Sequence, residues 1–341
     1  MSDNCGAASR TDDPYYHLRI ASIFVILVTS LAGTLTPIIA KRSWKVPTPA
    51  FDFVKYFGSG VIIATAFVHL LSPAYEELGS ACLSDTWLNY PWPAALAMAS
   101  VFGIFFLELF AFRIGSDIIM KTGLAYAGSE HNVNAKPEAE TENAAHHNHA
   151  HAHGHSHSHV PQRPHESSEI TGQADDPRLI VAQLIGVAIL EFGVILHSVI
   201  IGLTLAVNDA FRTLFVVLIF HQMFEGLGLG SRLAFLTLPP RFARLPTFAA
   251  VLYSLMTPIG ISIGLGVRTT YNPDSTTASI VSGTLDSLSA GVLLYTGLVE
   301  LLAHEFLFNP KMREKSLLEV AYACGCIMFG AGIMALLGRW A

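Results

Sequence analysis

Eight stretches of this chain run for about twenty residues or more with almost no charge: roughly 20–40, 51–71, 92–112, 179–206, 211–236, 246–267, 280–308 and 317–340. A helix needs about 20 apolar residues to cross the hydrocarbon core of a bilayer, and a helix satisfies its own backbone there. The fold class is therefore all-α, a polytopic membrane protein of eight spans. Composition agrees: 52% of the 341 residues are hydrophobic and only 13% are charged, about half the share of a soluble domain. That excludes a disordered chain, a basic nucleic-acid binder and an ordinary soluble enzyme. A net charge of −6 gives no phosphate-backbone partner. Four cysteines are too few for a disulfide framework. Residues 1–18 are too polar for a secretory signal, so the first span is expected to do the targeting.

Lys and Arg set the orientation. With the side reached after span 1 called side X, fifteen of the 20 Lys and Arg fall on or at the edge of X. Side X is expected to be the cytosol, with both termini outside. The expected organisation is an extracellular tail over 1–19, spans 1–3 over 20–112, a cytosolic loop over 113–178, spans 4–5 over 179–236 and spans 6–8 over 246–340. The loop is rich in Gly, Ser, Ala, Pro and acids, which cannot bury a core, so disorder is expected. It carries the run His146, His147, His149, His151, His153, His155, His157 and His159. Alternating imidazoles suit borderline-soft cations, and the run reads as a weak, multi-site metal buffer or sensor.

No Lys or Arg lies deep in a span, yet His69, Glu108, Glu191, His197, His221, Glu225, Asp286, Glu300, His304 and Glu305 do. Ionisable groups in a bilayer mark a pathway, and a lining of carboxylates and imidazoles suits a divalent cation. Spans 4 and 5 are joined by the short turn Asn208-Asp209. His197 lies nine residues before Ala206 and His221 ten after Phe211, so both sit about 15 Å below the outer edge, near the midplane. Glu225 shares the face of His221 one turn nearer X. Two imidazoles and a carboxylate suit tetrahedral zinc with an open position, and tolerate Fe(II) or Mn(II). Glu191 is about 120° around its helix from His197 and is expected behind the ligands. Ser198 and Gln222 are either weak ligands or interhelical hydrogen bonders.

Span 2 reads GVIIATAFVHLL from Gly60 and span 7 reads GVLLYTGLVELL from Gly291; six of the twelve positions are identical. Thr36-Pro37-Ile38 in span 1 likewise parallels Thr257-Pro258-Ile259 in span 6. The paired spans cross in opposite directions, so spans 1–3 and 6–8 form inverted repeats around the 4–5 hairpin, a carrier plan. Repeat position and direction give His69 a role in capture near the outer mouth, and Glu300 with His304 a role in release near X.

These residues resemble the ZIP family of zinc and iron transporters, most closely its fungal and plant branch. The resemblance rests on EFGVILHSVIIG from Glu191, FHQMFEGLGLGSR from Phe220, ATAFVHLL from Ala64 and the His-rich loop. It implies an eight-helix bundle with outside termini and a transport site between spans 4 and 5, with His197, His221 and Glu225 as metal ligands. It also implies that Ser198 and Gln222 fall where binuclear members build a second metal site. This chain departs there: Ile201 stands where those members place a Glu, and Thr257 occupies another carboxylate position. A single high-occupancy site is expected.

The expected function is Zn²⁺ import into the cytosol by alternating access, from the plasma membrane, with no enzyme activity and no resident cofactor. Zn²⁺ is the cargo, Fe²⁺ or a broader divalent set the alternative. A membrane metalloenzyme is the rival class, but neither HExxH nor repeated HxxHH boxes occur in the spans, and GxxxxGK[ST] is absent. A non-transporting metal-sensing receptor is a third reading. Expected partners are the metal ion and the lipid bilayer, not nucleic acid; a homodimer is the one protein assembly left open.

Overall fold

The computed structural model describes residues 15–43, 47–121, 177–208, 210–236, 238, 240–267 and 275–340. Eight helices among them are long and apolar enough to cross a membrane, and the described residues contain no strand. They are α1 (Tyr16–Ser43), α2 (Pro49–Leu78), α3 (Trp92–Lys121), α4 (Pro177–Val207), α5 (Phe211–Phe235), α6 (Leu245–Val267), α7 (Thr276–Phe308) and α8 (Leu317–Leu337). Their outer faces are apolar: Phe102, Phe106 and Phe110 of α3 and Met328 and Phe329 of α8 are exposed. Polar groups such as His197, Gln222, Glu225 and Ser254 are buried instead. That inversion of the soluble pattern is what a lipid solvent selects. The chain is a multi-pass membrane protein.

The inverted repeat is visible in the packing. α1 lies along α5 as α6 lies along α4; α2 packs on α8 as α7 packs on α3; α2 meets α5 as α7 meets α4. Each relation maps onto its partner by exchanging α1–α3 with α6–α8 and α4 with α5. Gly60 allows its half of this plan, since a Cβ there would strike the Ile327 carbonyl of α8. Its repeat mate Gly291 does the same against the Ala97 carbonyl of α3. The equivalence extends to local conformation. α2 widens into a π-helix over Thr65–Leu71 and α7 over Thr296–Phe308, both opening at the same repeat position. Thr65 Oγ1 donates to the Val61 carbonyl and Thr296 Oγ1 to that of Val292, each at 3.0 Å.

Helix ends are tied by side chains. Arg19 is buried and donates to the carbonyls of Leu205 and Asn208 at 2.7 and 2.8 Å, satisfying orphan acceptors at the end of α4. At side X, Lys41 donates to the Ala234 carbonyl and Arg42 to that of Ala243, both at 2.7 Å. Ser316 and Glu319 form a capping box that starts α8.

Two boundaries differ from the sequence expectation. α3 continues to Lys121 rather than ending near 112: no Pro interrupts Phe110 to Met120, and the helix carries the cost of Gly115, about 1 kcal/mol. α2 continues to Leu78 rather than ending at 71. Pro73 stands in the first turn after the π segment, where a missing N–H is tolerated. The His146–His159 run and most of the expected 1–19 tail and 113–178 loop lie outside the described residues.

Candidate metal centre

α4 and α5 run antiparallel from the turn at Asn208, so equal steps from the turn reach equal depth. Within that hairpin HSVIIGL (197–203) is matched in sequence by HQMFEGL (221–227), a likeness that pairs His197 with His221, Gly202 with Gly226 and Ile201 with Glu225. The imidazoles are thus doubled while the carboxylate is present once. His197 Nε2 and His221 Nε2 are 3.2 Å apart, and Glu225 Oε2 is 3.7 Å from His221 Nε2. One ligand atom from each of the three lies within 4.8 Å of the others, and among the described residues this is the one group so arranged. His221 and Glu225 are fully buried and His197 is nearly so.

Neighbouring helices support the three. Tyr253 of α6 donates its phenolic proton towards Glu225 Oε2 at 3.2 Å. Gln222 donates to Thr257 Oγ1 at 2.6 Å and to Ser30 Oγ at 3.3 Å, so its amide nitrogen ties α5 to α6 and α1. Its Oε1, the Ser198 Oγ and both Glu191 oxygens are buried without a hydrogen-bond partner. So are His197 Nδ1, His221 Nδ1 and Glu225 Oε1. Buried polar atoms are nearly always paired in proteins, and the unpaired atoms of His197, His221 and Glu225 belong to one convergent group. Towards side X the centre is backed by packed apolar side chains, Ile62, Leu229, Leu233 and Leu293 among them.

The structure sets His69 beside His221. Its ring lies edge-on to His221 with centroids 4.6 Å apart, and its Nε2 is 2.9 Å from the Met334 carbonyl. α2 runs on to Leu78, so His69 lies nine residues, about 13 Å along the axis, from that helix end. Glu300 is not part of the centre. It shares a hydrogen bond with Glu108 of α3 and faces His304 and Arg232; Tyr295 donates to Glu108 at 2.6 Å. His304 is exposed. Near side X, Lys55 and Glu305 form an ion pair and Arg232 donates to Ser59 Oγ at 2.5 Å. Sequence reasoning missed Tyr253, which offers no charge in an apolar run; its spacing of four from Thr257 was the available signal.

An eight-helix membrane bundle with three convergent side chains of metal-ligating type at its heart fits one class, the polytopic proteins that handle a metal ion within the bilayer. The ZIP Zinc transporter profile matches residues 16–338. Zinc-regulated transporter 1 of Schizosaccharomyces pombe is 40% identical over 99% of this chain and 89% of its own length. Zinc-regulated transporter 1 of Saccharomyces cerevisiae is 43% identical over 95% of this chain and 87% of its own. Zinc transporter 3 of Arabidopsis thaliana is 33% identical over 95% of this chain and 84% of its own. The chain belongs to the ZIP zinc transporter family.

Proposed function

We propose that this protein imports Zn²⁺ across the plasma membrane into the cytosol, holding the ion at mid-depth between His197, His221 and Glu225. The observation that carries this reading is the convergence of two imidazoles and one carboxylate, all buried, on one point. Zinc bonds of 2.0–2.1 Å in a tetrahedron place neighbouring ligand atoms about 3.3 Å apart, close to the 3.2 Å between the two Nε2 atoms. The fourth position is left for water or an incoming ligand. Zinc is favoured over Fe²⁺ as cargo by the names of the relatives, and a transporter is favoured over an enzyme by the family match. Ser198 and Gln222 flank the ion as weak neighbours.

Direction follows from charge: the Lys- and Arg-rich side X is the cytosol by the positive-inside rule. Cys82, on the connection between α2 and α3 at the opposite side, is disulfide-bonded, in keeping with an oxidising exterior. Alternating access is supported by the pseudo-two-fold packing, in which one repeat can rock against the other about a site near its axis. The His146–His159 run, on the cytosolic side in this reading, buffers arriving zinc.

Purified protein in liposomes should take up radiolabelled zinc. His197→Ala, His221→Ala and Glu225→Ala should each remove nearly all uptake at unchanged protein level. Normal uptake by any of the three, or none by the parent, refutes the assignment.

A further inference from the structure

Asp286 of α7 is an intramembrane acid that the His197–His221–Glu225 centre leaves unused. It is 6% exposed, and among the described residues its carboxylate makes no hydrogen bond or ion pair. Packing fixes where it points. Gly283 of α7 abuts Glu77 and Leu78 of α2, and Gly297 abuts Ile63, so one face of α7 lies along α2. Gly193 of α4 abuts Val292 and Leu293, so a second face of α7 lies along α4. At 3.6 residues per turn Asp286 falls between the two faces, about 60° from Gly283 and about 20° from Leu293. Ser289 falls in the middle of the second face, and its Oγ is fully buried without a partner. α4 and α7 run antiparallel, so His197, four residues outward of Gly193, comes level with Ser289, three or four outward of Val292 and Leu293. Asp286 stands one turn further out, about 5 Å along the axis. The charged group that faces it is Glu77, a second carboxylate and not a cation. An acid buried in a bilayer without a counter-charge is costly and marks a functional site.

We propose that Asp286 and Ser289 form an outer divalent-cation subsite, one turn outward of the imidazole pair, which captures the ion before the centre takes it. This rests on the import reading above. The two residues are three apart on one helix and so are neighbours on its surface. Asp286 supplies the charge that draws a hydrated cation in between α2 and α4. Ser289 offers a neutral oxygen level with His197, and the ion's own water completes its shell, since two protein oxygens do not fill a tetrahedron. Oxygen donors hold zinc less firmly than imidazole does, so an ion caught there moves on to His197 and His221 instead of resting.

Two measurements on the full-length protein test the subsite. In initial-rate uptake into liposomes, Asp286→Asn should raise the apparent KM for zinc by about tenfold, with the maximal rate kept within about twofold. Asp286→Glu should recover most of the lost affinity, and Ser289→Ala should raise KM by about threefold, the scale of one neutral polar contact. An Asp286→Asn protein with the parental KM overturns the proposal. So does one whose maximal rate falls at unchanged KM, which would make Asp286 a structural or proton-carrying group. Independently, anomalous diffraction from parent crystals soaked in Cd²⁺ should show density beside Asp286 and Ser289 as well as at the imidazole centre. Density at the imidazole centre alone, at saturating cadmium, overturns it. The diffraction measurement needs no transport, so it decides the subsite even where the import reading fails and where a variant does not fold.

Discussion

The His69 ring meets the His221 ring edge to face at 4.6 Å, and so joins α2 to the metal centre while its Nε2 holds the Met334 carbonyl of α8. A ring fixed on both sides restrains the His221 ring by packing, without giving it a hydrogen bond.

His69→Ala should therefore raise the apparent KM for external zinc, with little change in maximal rate. Glu300→Ala should do the opposite. Glu300 lies apart from the centre, hydrogen-bonded to Glu108 and facing Arg232, so its loss should lower the maximal rate by about tenfold and leave KM nearly unchanged. Initial-rate uptake over a range of zinc concentrations separates the two, and identical kinetics at equal surface levels would remove both roles.

Tyr253→Phe deletes one hydroxyl from a fully buried ring. The bond it gives to Glu225 is charge-assisted when the carboxylate holds metal, and about 1.5 kcal/mol for such a bond corresponds to about a tenfold rise in KM. The ring remains to fill its place in the core, so protein yield and melting temperature should stay near the parent. An unchanged KM would show that Glu225 is held by its backbone position alone.

Gly60→Ala and Gly291→Ala should destabilise the bundle to a similar degree, because each new methyl would meet a carbonyl of the facing helix, that of Ile327 or of Ala97. Overpacking of this kind costs about 1–3 kcal/mol, read as a lower melting temperature in detergent. Gly325→Ala and Gly332→Ala, whose Cβ meets nothing, are the controls and should melt with the parent. Unequal losses at Gly60 and Gly291 would show that the two halves do not carry equal loads.

The spans were legible because the bilayer demands long apolar runs, a constraint written directly in composition. The grouping of His197, His221 and Glu225 was legible because a short turn converts residue count into depth on two adjacent helices. The contact of His69 with His221 was hidden for two physical reasons. Its span continues through the polar segment Ser72–Leu78, which hydropathy cannot recognise as helix, and the π turn beginning at Thr65 departs from the 3.6-residue period used to assign faces. Tyr253 was silent because only its tip is polar. Its partner Glu225 is twenty-eight residues away, on a helix whose contact with α6 no local pattern announces.

The π segment of α2 has a torsional consequence. Closing it into ordinary α-helix without deleting a residue would turn everything beyond it by about 100°. Both ends of this rod are clamped. At one, Gly58 lies backbone to backbone with Gly228 of α5; at the other, Leu78 fills the space over Gly283 of α7. The same holds for α7, gripped by α3 at Gly291 and by Lys55 at Glu305. Each arm is wound out of step with a plain helix, over seven residues in α2 and thirteen in α7, and neither can unwind without letting go of a neighbour.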